Sequence, residues 1–186
     1  MRKIIIPLLC LLLFNCKSEN IDNQEYEIIN IVIKNDIEPS LEQMRSNASN
    51  IKNDSLKWSN YFFSLDETLQ PIDIHKDVYQ NLINEYGSKY LKRYTQALKI
   101  NLEKIKTPNG SRIMPYSSAN ESNKFYMGSY KFSRVIFNDS VDKAVIEFIR
   151  TNPSAITLND KALVFLQKKD DKWEITKERG LFYNYN

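Results

Sequence analysis

Residues 143–176 read KAVIEFIRTNPSAITLNDKALVFLQKKDDKWEIT and give the clearest indication of the fold. Residues 144–149 and 163–166 are apolar runs of strand length, and the Asn-Pro pair at 152–153 ends the first of them. The charged residues 168–172 have the composition of a hairpin turn, after which another strand begins. Because short turns join neighbouring strands in antiparallel pairs, the stretch predicts the end of an antiparallel β-meander.

The same pattern extends towards the amino terminus. Residues 125–137 are rich in aromatic and β-branched side chains with a period of two, and the turn residues Asn138-Asp139-Ser140 follow them. Together, these segments predict about four strands over residues 124–180. Trp173, beside the lysine-rich turn, is predicted to be a core side chain whose flank is covered by lysine stems.

Upstream, the apolar repeat changes from two residues to three or four. The isoleucines and valine between residues 28 and 33 predict an amphipathic helix that begins at Glu25 and ends at Pro39. Because these side chains are β-branched, a strand is the alternative. Residues 40–54 are rich in Asn and Ser and predict a loop.

An aromatic cluster follows at residues 56–65, either as a short strand or as a docking loop. Two further helices are predicted at residues 73–87 and 88–106, where Leu, Ile and Tyr recur at helical spacing. Pro108-Asn109-Gly110 predicts a turn. Helices over about 25–106 and strands over 124–180 predict an α+β fold, with N-terminal helices packed on a C-terminal antiparallel meander of about four strands.

The amino terminus indicates where the protein resides. Met1-Arg2-Lys3 is a basic head, and the apolar run at 4–14 is shorter than the roughly 20 residues that span a bilayer as a helix. Leu13-Phe14-Asn15-Cys16 resembles the lipobox of bacterial lipoproteins, which implies removal of residues 1–15 and acylation of Cys16. The expected organisation is a signal peptide (1–15), a lipid-anchored tether (16–24) and a single domain (25–186). An ordinary signal peptide is the alternative.

Composition argues against several classes of function. Removal of residues 1–15 takes away Arg2 and Lys3, so Lys+Arg falls from 26 to 24 against 23 Asp+Glu, and no cationic field remains for nucleic acid. Cys10 leaves with the signal and Cys16 carries lipid, so the domain has no thiol for a disulfide, a zinc site or a nucleophile. With 42% hydrophobic residues, stability is expected to come from a packed core.

The strand region also resembles a family. The residues that carry the resemblance are Phe132-Ser133-Arg134, Phe137-Asn138, Lys143-Ala144, residues 162–169 and Lys172-Trp173. Together with the signal, they resemble the carboxy-terminal half of small uncharacterised lipoproteins of Bacteroidota. The resemblance implies a cell-envelope protein, anchored by lipid to the outer membrane and facing the periplasm or the surface, and it implies no activity. In architecture, helices followed by a sheet are similar to the cone-shaped NTF2-like fold.

Two groups of side chains are candidates for ligand binding. Phe125, Tyr126 and Tyr130 lie among small residues and are expected to stack on sugar rings or to accept a peptide strand; the alternative is the buried face of a strand. Arg134 and Glu147 are charges within apolar strands. Neighbouring antiparallel strands would let them pair as the polar floor of a pocket, or as a rim ion pair.

No constellation predicts catalysis. The chain contains neither a glycine-rich phosphate loop nor a GxSxG elbow, and the single histidine, His75, is expected to be solvated near a helix N-terminus. No catalytic residue, metal site or cofactor is predicted. Ser55 and Ser140 each follow Asp and precede an apolar residue, which matches the O-glycosylation acceptor pattern of Bacteroidota, and both fall in predicted loops.

The expected function is a non-enzymatic binding or scaffolding module, held at the membrane by its N-terminal lipid. Its expected partner is an unknown protein or glycan, with no nucleic acid. An inhibitor- or immunity-type lipoprotein that blocks another protein is the alternative. A hydrolase that uses His75 with a distant Asp or Ser is the third hypothesis.

Overall fold

The computed structural model describes residues 19–48, 58–72, 96–119, 122–123, 125–151 and 159–180. The predictions for Cys16, Ser55 and His75, and the helix expected at 73–87, lie outside the described residues. Within them, no helix is both long enough and apolar enough to cross a membrane.

The first described element is one long helix, α1 (Glu19–Ala48). Its buried positions recur at three and four residues, the spacing that aligns side chains on one face of a helix: Glu25, Ile28, Ile29, Val32, Ile33 and Ile37. The predicted helix is therefore confirmed, and the strand alternative is wrong. Pro39 does not end the helix. It lies on the exposed side, as does Asn35, so the carbonyl that loses its helical hydrogen bond is on the solvent face.

Nine strands follow in the described residues. They are β1 (Phe62–Leu65), β2 (Thr68–Leu69), β3 (Leu98–Lys99), β4 (Arg112–Pro115), β5 (Tyr126–Phe132), β6 (Ile136–Phe137), β7 (Lys143–Thr151), β8 (Asn159–Lys169) and β9 (Lys172–Gly180). Short 3₁₀ turns lie at Trp58–Asn60, Leu102–Lys104, Pro108–Gly110 and Tyr116–Ser118. The last but one of these coincides with the predicted Pro-Asn-Gly turn.

The main sheet has the strand order β4-β1-β5-β7-β8-β9, and β6 also pairs with β7. Antiparallel pairing links β5 to β7, β7 to β8 and β8 to β9, which confirms the predicted meander of about four strands. In contrast, β1 pairs in parallel with both β4 and β5. The strands β2 and β3 form a separate antiparallel pair.

Two backbone features shape the sheet. In the turn between β8 and β9, Asp170 and Asp171 have φ values of 50° and 59°, as a two-residue hairpin of type I′ requires. The register between β1 and β5 shifts near Gly128, whose φ of 121° is a conformation that other residues rarely adopt. The shift places Tyr126 beside Phe62 on one face of the sheet and Tyr130 beside Phe63 on the other.

The main core lies between α1 and one face of the sheet. Ile29 and Ile33 of the helix belong to the same buried cluster as Phe132, Ile146 and Val164 of the strands. Full burial of such a side chain contributes about 1.5–3 kcal/mol. The other face is also buried at Phe62, Val145, Leu163 and Phe165. Because both faces of β7 and β8 are buried, these strands read as apolar runs instead of alternating ones.

Three predicted boundaries are wrong. Residues 40–48 are helical and not a loop, and α1 begins at Glu19, six residues before the predicted start at Glu25. The prediction of helices over 25–106 fails at β1, β2 and β3 and at the 3₁₀ turn 102–104. All four residues of β1 are buried, so this strand has no alternation of polar and apolar side chains that would identify it. The α+β class itself holds, with one described helix and a seven-stranded sheet.

Candidate functional site

The most deeply buried charges form an ion pair between α1 and the segment after β5. We call Glu25 and Arg134 the inner pair; their side chains are 1% and 8% exposed. Arg134 Nε and Nη2 donate to the two carboxylate oxygens of Glu25, each at 2.9 Å. Arg134 Nη1 donates to the Gln96 carbonyl at 3.0 Å, and the Val135 N–H donates to Glu25 Oε1 at 3.0 Å. Bidentate geometry with additional partners is what a buried charge pair requires, so the inner pair is a structural connection.

A second ion pair, Asp36 and Arg150, lies about three turns further along α1, and we call it the outer pair. Arg150 Nη1 donates to Asp36 Oδ1 and Oδ2 at 3.0 and 3.1 Å, and the Tyr130 hydroxyl donates to Oδ2. The side chains of Arg150 and Asp36 keep 26% and 19% of their exposure. The outer pair is therefore in contact with solvent.

Two pKa shifts accompany the outer pair. Burial, and then the negative charge of Asp36, raise the pKa of the Tyr130 phenol well above its usual range. Burial and the charge of Asp36 also raise the pKa of the Glu178 carboxyl on β9, while Arg150 opposes the shift. Two carboxylates and one guanidinium thus share this end of the helix–sheet interface.

The predicted pair of Arg134 and Glu147 is wrong. Ile146 faces the helix-side core, so the next side chain of β7, Glu147, lies on the opposite face. There Lys161 Nζ lies 3.0 Å from Glu147 Oε2. The backbone of Glu147 meets the β5–β6 segment, where the Ser133 N–H donates to the Glu147 carbonyl. Strand alternation thus places the Glu147 carboxylate on the face of the sheet opposite to Arg134.

The predicted aromatic platform is also divided. Phe125 is half-buried and packs edge-on against Tyr61, with 5.5 Å between ring centroids. Tyr126 is 8% exposed, and its hydroxyl shares a hydrogen bond of 3.0 Å with Ser64 Oγ. Tyr130 is 4% exposed and points to the other face, towards Asp36. These three rings therefore do not present one stacking surface.

Ser140 is the one predicted glycosylation site within the described residues. It is exposed in the turn between β6 and β7. Its hydroxyl donates to Asp142 Oδ1 at 2.7 Å and accepts from Asn138 Nδ2 at 2.9 Å. Asn138 Nδ2 also donates to Asp142 Oδ1, and the hydrogen bonds that Asp142 accepts from Ser140 and Asn138 lower the pKa of its carboxyl. Glycosylation at Ser140 stays a prediction.

An open groove runs along the solvent side of α1. It is lined by one stripe of the helix between Asn23 and Glu38 and by Lys104, Lys106, Thr107 and Pro108, and its volume is about 610 Å³. That volume lies within the range of about 300–1,000 Å³ that small-molecule sites occupy. We call it the lysine groove, because Lys34, Lys104 and Lys106 contribute to its lining.

Side chains of α1 hold the second wall of the lysine groove in place. The Tyr26 hydroxyl accepts a hydrogen bond from the Asn101 N–H at 2.8 Å. The Asn30 side chain accepts from the Lys106 N–H at 2.7 Å and donates to the Lys104 carbonyl at 3.2 Å. Between the two lysines, Ile105 is buried in the main core. The connection that carries Lys104 and Lys106 is therefore fixed on both sides.

Sequence reasoning missed Glu25 and Asp36 as partners of the strand arginines. A signal for both exists, because each carboxylate falls in phase with the apolar stripe of the helix: Glu25 precedes Ile28 by three residues and Asp36 follows Ile33 by three. A charge at a core-facing position predicts a buried partner. No comparable signal marks the lysine groove, because its two walls are about 70 residues apart in the chain.

No group of three or more His, Cys, Asp and Glu side chains in the described ranges is arranged to hold a metal ion. Within the described residues, the lysine groove is the opening that we consider as a candidate ligand site. The comparisons find no match: no protein-family model fits the chain, and neither a curated protein nor a solved structure is significantly similar to it.

Proposed function

We propose that this protein is a lipid-anchored component of the cell envelope whose α+β domain acts by binding a ligand or partner and not by catalysis. The observation that carries the proposal is the lysine groove, an opening of about 610 Å³ whose walls are held together by Tyr26 and Asn30. A pre-formed groove fixed by hydrogen bonds is suited to binding because little conformational entropy is lost when it is occupied.

The charged groups between α1 and the sheet support a binding role in a second way. Within the inner pair, and likewise within the outer pair, the two opposite charges satisfy one another across the helix–sheet interface. Because these charged groups connect the helix to the sheet, a structural role explains them and no catalytic role is required. The inhibitor-type role and the hydrolase that uses His75 stay predictions.

The envelope location is proposed from the amino-terminal sequence. Residues 4–14 and Leu13-Phe14-Asn15-Cys16 have the pattern of a lipoprotein signal, and α1 begins at Glu19, three residues after the cysteine. The domain would therefore lie close to the bilayer surface if Cys16 is acylated. We also propose a cone-shaped, NTF2-like arrangement, which the packing of one long helix across an antiparallel meander supports.

Metabolic labelling with radioactive palmitate in a bacterial host tests the anchor. The full chain is expected to incorporate label and to separate with membranes. The Cys16→Ser variant is expected to lose both properties. Cys10→Ser is the matched control, since it removes the other cysteine of the signal and should keep full labelling. Labelling that survives in Cys16→Ser, or that is absent from the unaltered chain, would contradict the proposed anchor.

A further inference from the structure

The lysine groove carries more positive than negative charge. Lys34, Lys104 and Lys106 contribute to its lining together with two carboxylates, Glu27 and Glu38. Within the described residues, no carboxylate lies in ion-pair contact with Lys34 or Lys106, and Lys104 Nζ lies 4.9 Å above the centre of the Tyr26 ring. The ammonium groups of Lys34 and Lys106 are thus available to an anion.

The positions of the lysines follow from the backbone. Asn30 binds the carbonyl of Lys104 and the N–H of Lys106, the two residues that flank buried Ile105. Lys104 and Lys106 are exposed on either side of this anchor. Lys34 follows Asn30 by four residues, which is one turn along the same face of α1. All three lysines therefore contribute to the lining of the same groove.

Apolar surface lies next to these cations. The ring of Tyr26, the half-buried side chain of Ile31 and the ring of Pro108 belong to the same lining. A ligand that fits both parts has an anionic group joined to a short apolar body. A phosphate group offers more acceptor oxygens to several ammonium groups than one carboxylate does, and lysine binds phosphate as a point charge.

We propose that the lysine groove binds an organic phosphate, with the phosphate among Lys34, Lys104 and Lys106 and the apolar body against Tyr26, Ile31 and Pro108. The proposal deepens the binding role above and rests on it, but it does not depend on acylation of Cys16. The same chemistry has two sources, a soluble phosphate ester and the headgroup of an anionic lipid. The experiment distinguishes them.

The experiment measures acetylation of individual lysines by mass spectrometry, with the full chain in micelles of a neutral detergent. n-Butyl phosphate, a phosphate ester with a short apolar body, is the soluble probe, and phosphatidylglycerol added to the micelles is the lipid probe, with phosphatidylcholine as its neutral counterpart. Lys169 and Lys172, exposed at the β8–β9 hairpin, serve as reference lysines. The expected result is slower acetylation of Lys34 and Lys106 with unchanged reference lysines.

Protection by n-butyl phosphate assigns a soluble ligand, and protection by phosphatidylglycerol alone assigns a lipid headgroup. Unchanged labelling with both probes, or equal protection of Lys169 and Lys172, overturns the proposal. The variant Lys34→Gln/Lys106→Gln should weaken binding of the effective probe about tenfold or more, because charge-assisted contacts are the strong ones. Lys169→Gln/Lys172→Gln has the same change of charge and should bind normally. Failure of the palmitate experiment would leave this result unaffected.

Discussion

The inner pair and the outer pair lie at two ends of the same helix–sheet interface and can be compared directly. Each joins a carboxylate of α1 to an arginine of the sheet, and the two carboxylates are 11 residues apart, about 16 Å along the helix. Glu25 meets two nitrogen atoms of Arg134 and is 1% exposed, whereas Asp36 meets one nitrogen atom of Arg150 and is 19% exposed. The two pairs contain nearly the same charged groups, but the inner pair is more deeply buried than the outer pair.

The contrast indicates that burial determines how strongly an ion pair affects the stability of the fold. When a buried ion pair loses one partner, the remaining charge lies uncompensated in a medium of low dielectric constant, and this lowers the stability of the fold. A pair in contact with water leaves a charge that the solvent can reach. The inner pair should therefore dominate stability, while the outer pair should respond to pH through Tyr130 and Glu178.

The largest expected effect comes from breaking the inner pair. Glu25→Ala leaves Arg134 and the Val135 N–H without their carboxylate, and we expect the free energy of unfolding to fall by about 3–5 kcal/mol. Urea denaturation followed by circular dichroism measures it. Glu27→Ala, two residues along the same helix and exposed, is the matched control and should change stability by less than about 0.5 kcal/mol.

A double variant sharpens this prediction. Glu25→Met with Arg134→Met removes both charges and keeps much of the volume, so it should recover most of the stability that Glu25→Ala loses. A double variant that is as unstable as the single one would contradict the explanation by an unpaired buried charge.

The next effect comes from the outer pair. Asp36→Ala removes the acceptor for Arg150 and Tyr130, but Arg150 keeps a neighbouring carboxylate in Glu178 and contact with water. We expect a loss of about 1–2 kcal/mol, between the value for an exposed pair and that for a hydrogen bond to a buried charge. The measurement is again urea denaturation, with exposed Glu174→Ala as the control. A loss equal to that of Glu25→Ala would refute the comparison.

The Tyr130 hydroxyl predicts behaviour at alkaline pH. Burial and Asp36 hold the pKa of this phenol above its ordinary value of 10.0, so the unfolded chain ionises first and stability falls as the pH rises above that value. In an ultraviolet titration, Tyr130 should ionise only together with unfolding. Tyr130→Phe should remove this late step, and at neutral pH it should cost about 1 kcal/mol for the lost hydrogen bond. Ionisation of all eleven tyrosines before unfolding would contradict the prediction.

The smallest expected effect is a gain in stability at neutral pH, in contrast to the losses predicted above. The pKa of Glu178 is raised in the folded chain, so its ionised form reduces stability above the folded pKa, and the reduction disappears as the pH falls towards the ordinary value of 4.5. Glu178→Gln should therefore raise the melting temperature slightly at neutral pH and leave it unchanged near pH 4.5. Calorimetry at the two pH values measures this. A lower melting temperature at neutral pH would show that Arg150 outweighs burial.

Local patterns predicted much of the carboxy-terminal half. The strand expected at residues 144–149 is β7, and the turn at 168–172 contains the Asp170-Asp171 hairpin. Trp173 is buried with Lys168 Nζ 5.1 Å above its ring, as predicted. These features depend on alternation and turn preference, which act over a few residues. The parallel pairing of β1 with β4 and β5 was missed because it joins distant segments.

The amphipathic helix, the antiparallel meander and its turns could be predicted from local patterns, because neighbouring residues dictate helical or extended backbone. The pairing of Arg134 with Glu25, 109 residues away, and not with Glu147 depends on the folded chain, since strand alternation and packing choose the partner. The tertiary structure also brought Lys104 and Lys106 against α1 to form the lysine groove. The physical reason is range: backbone preferences act locally, whereas charges and grooves depend on which distant segments the core brings together.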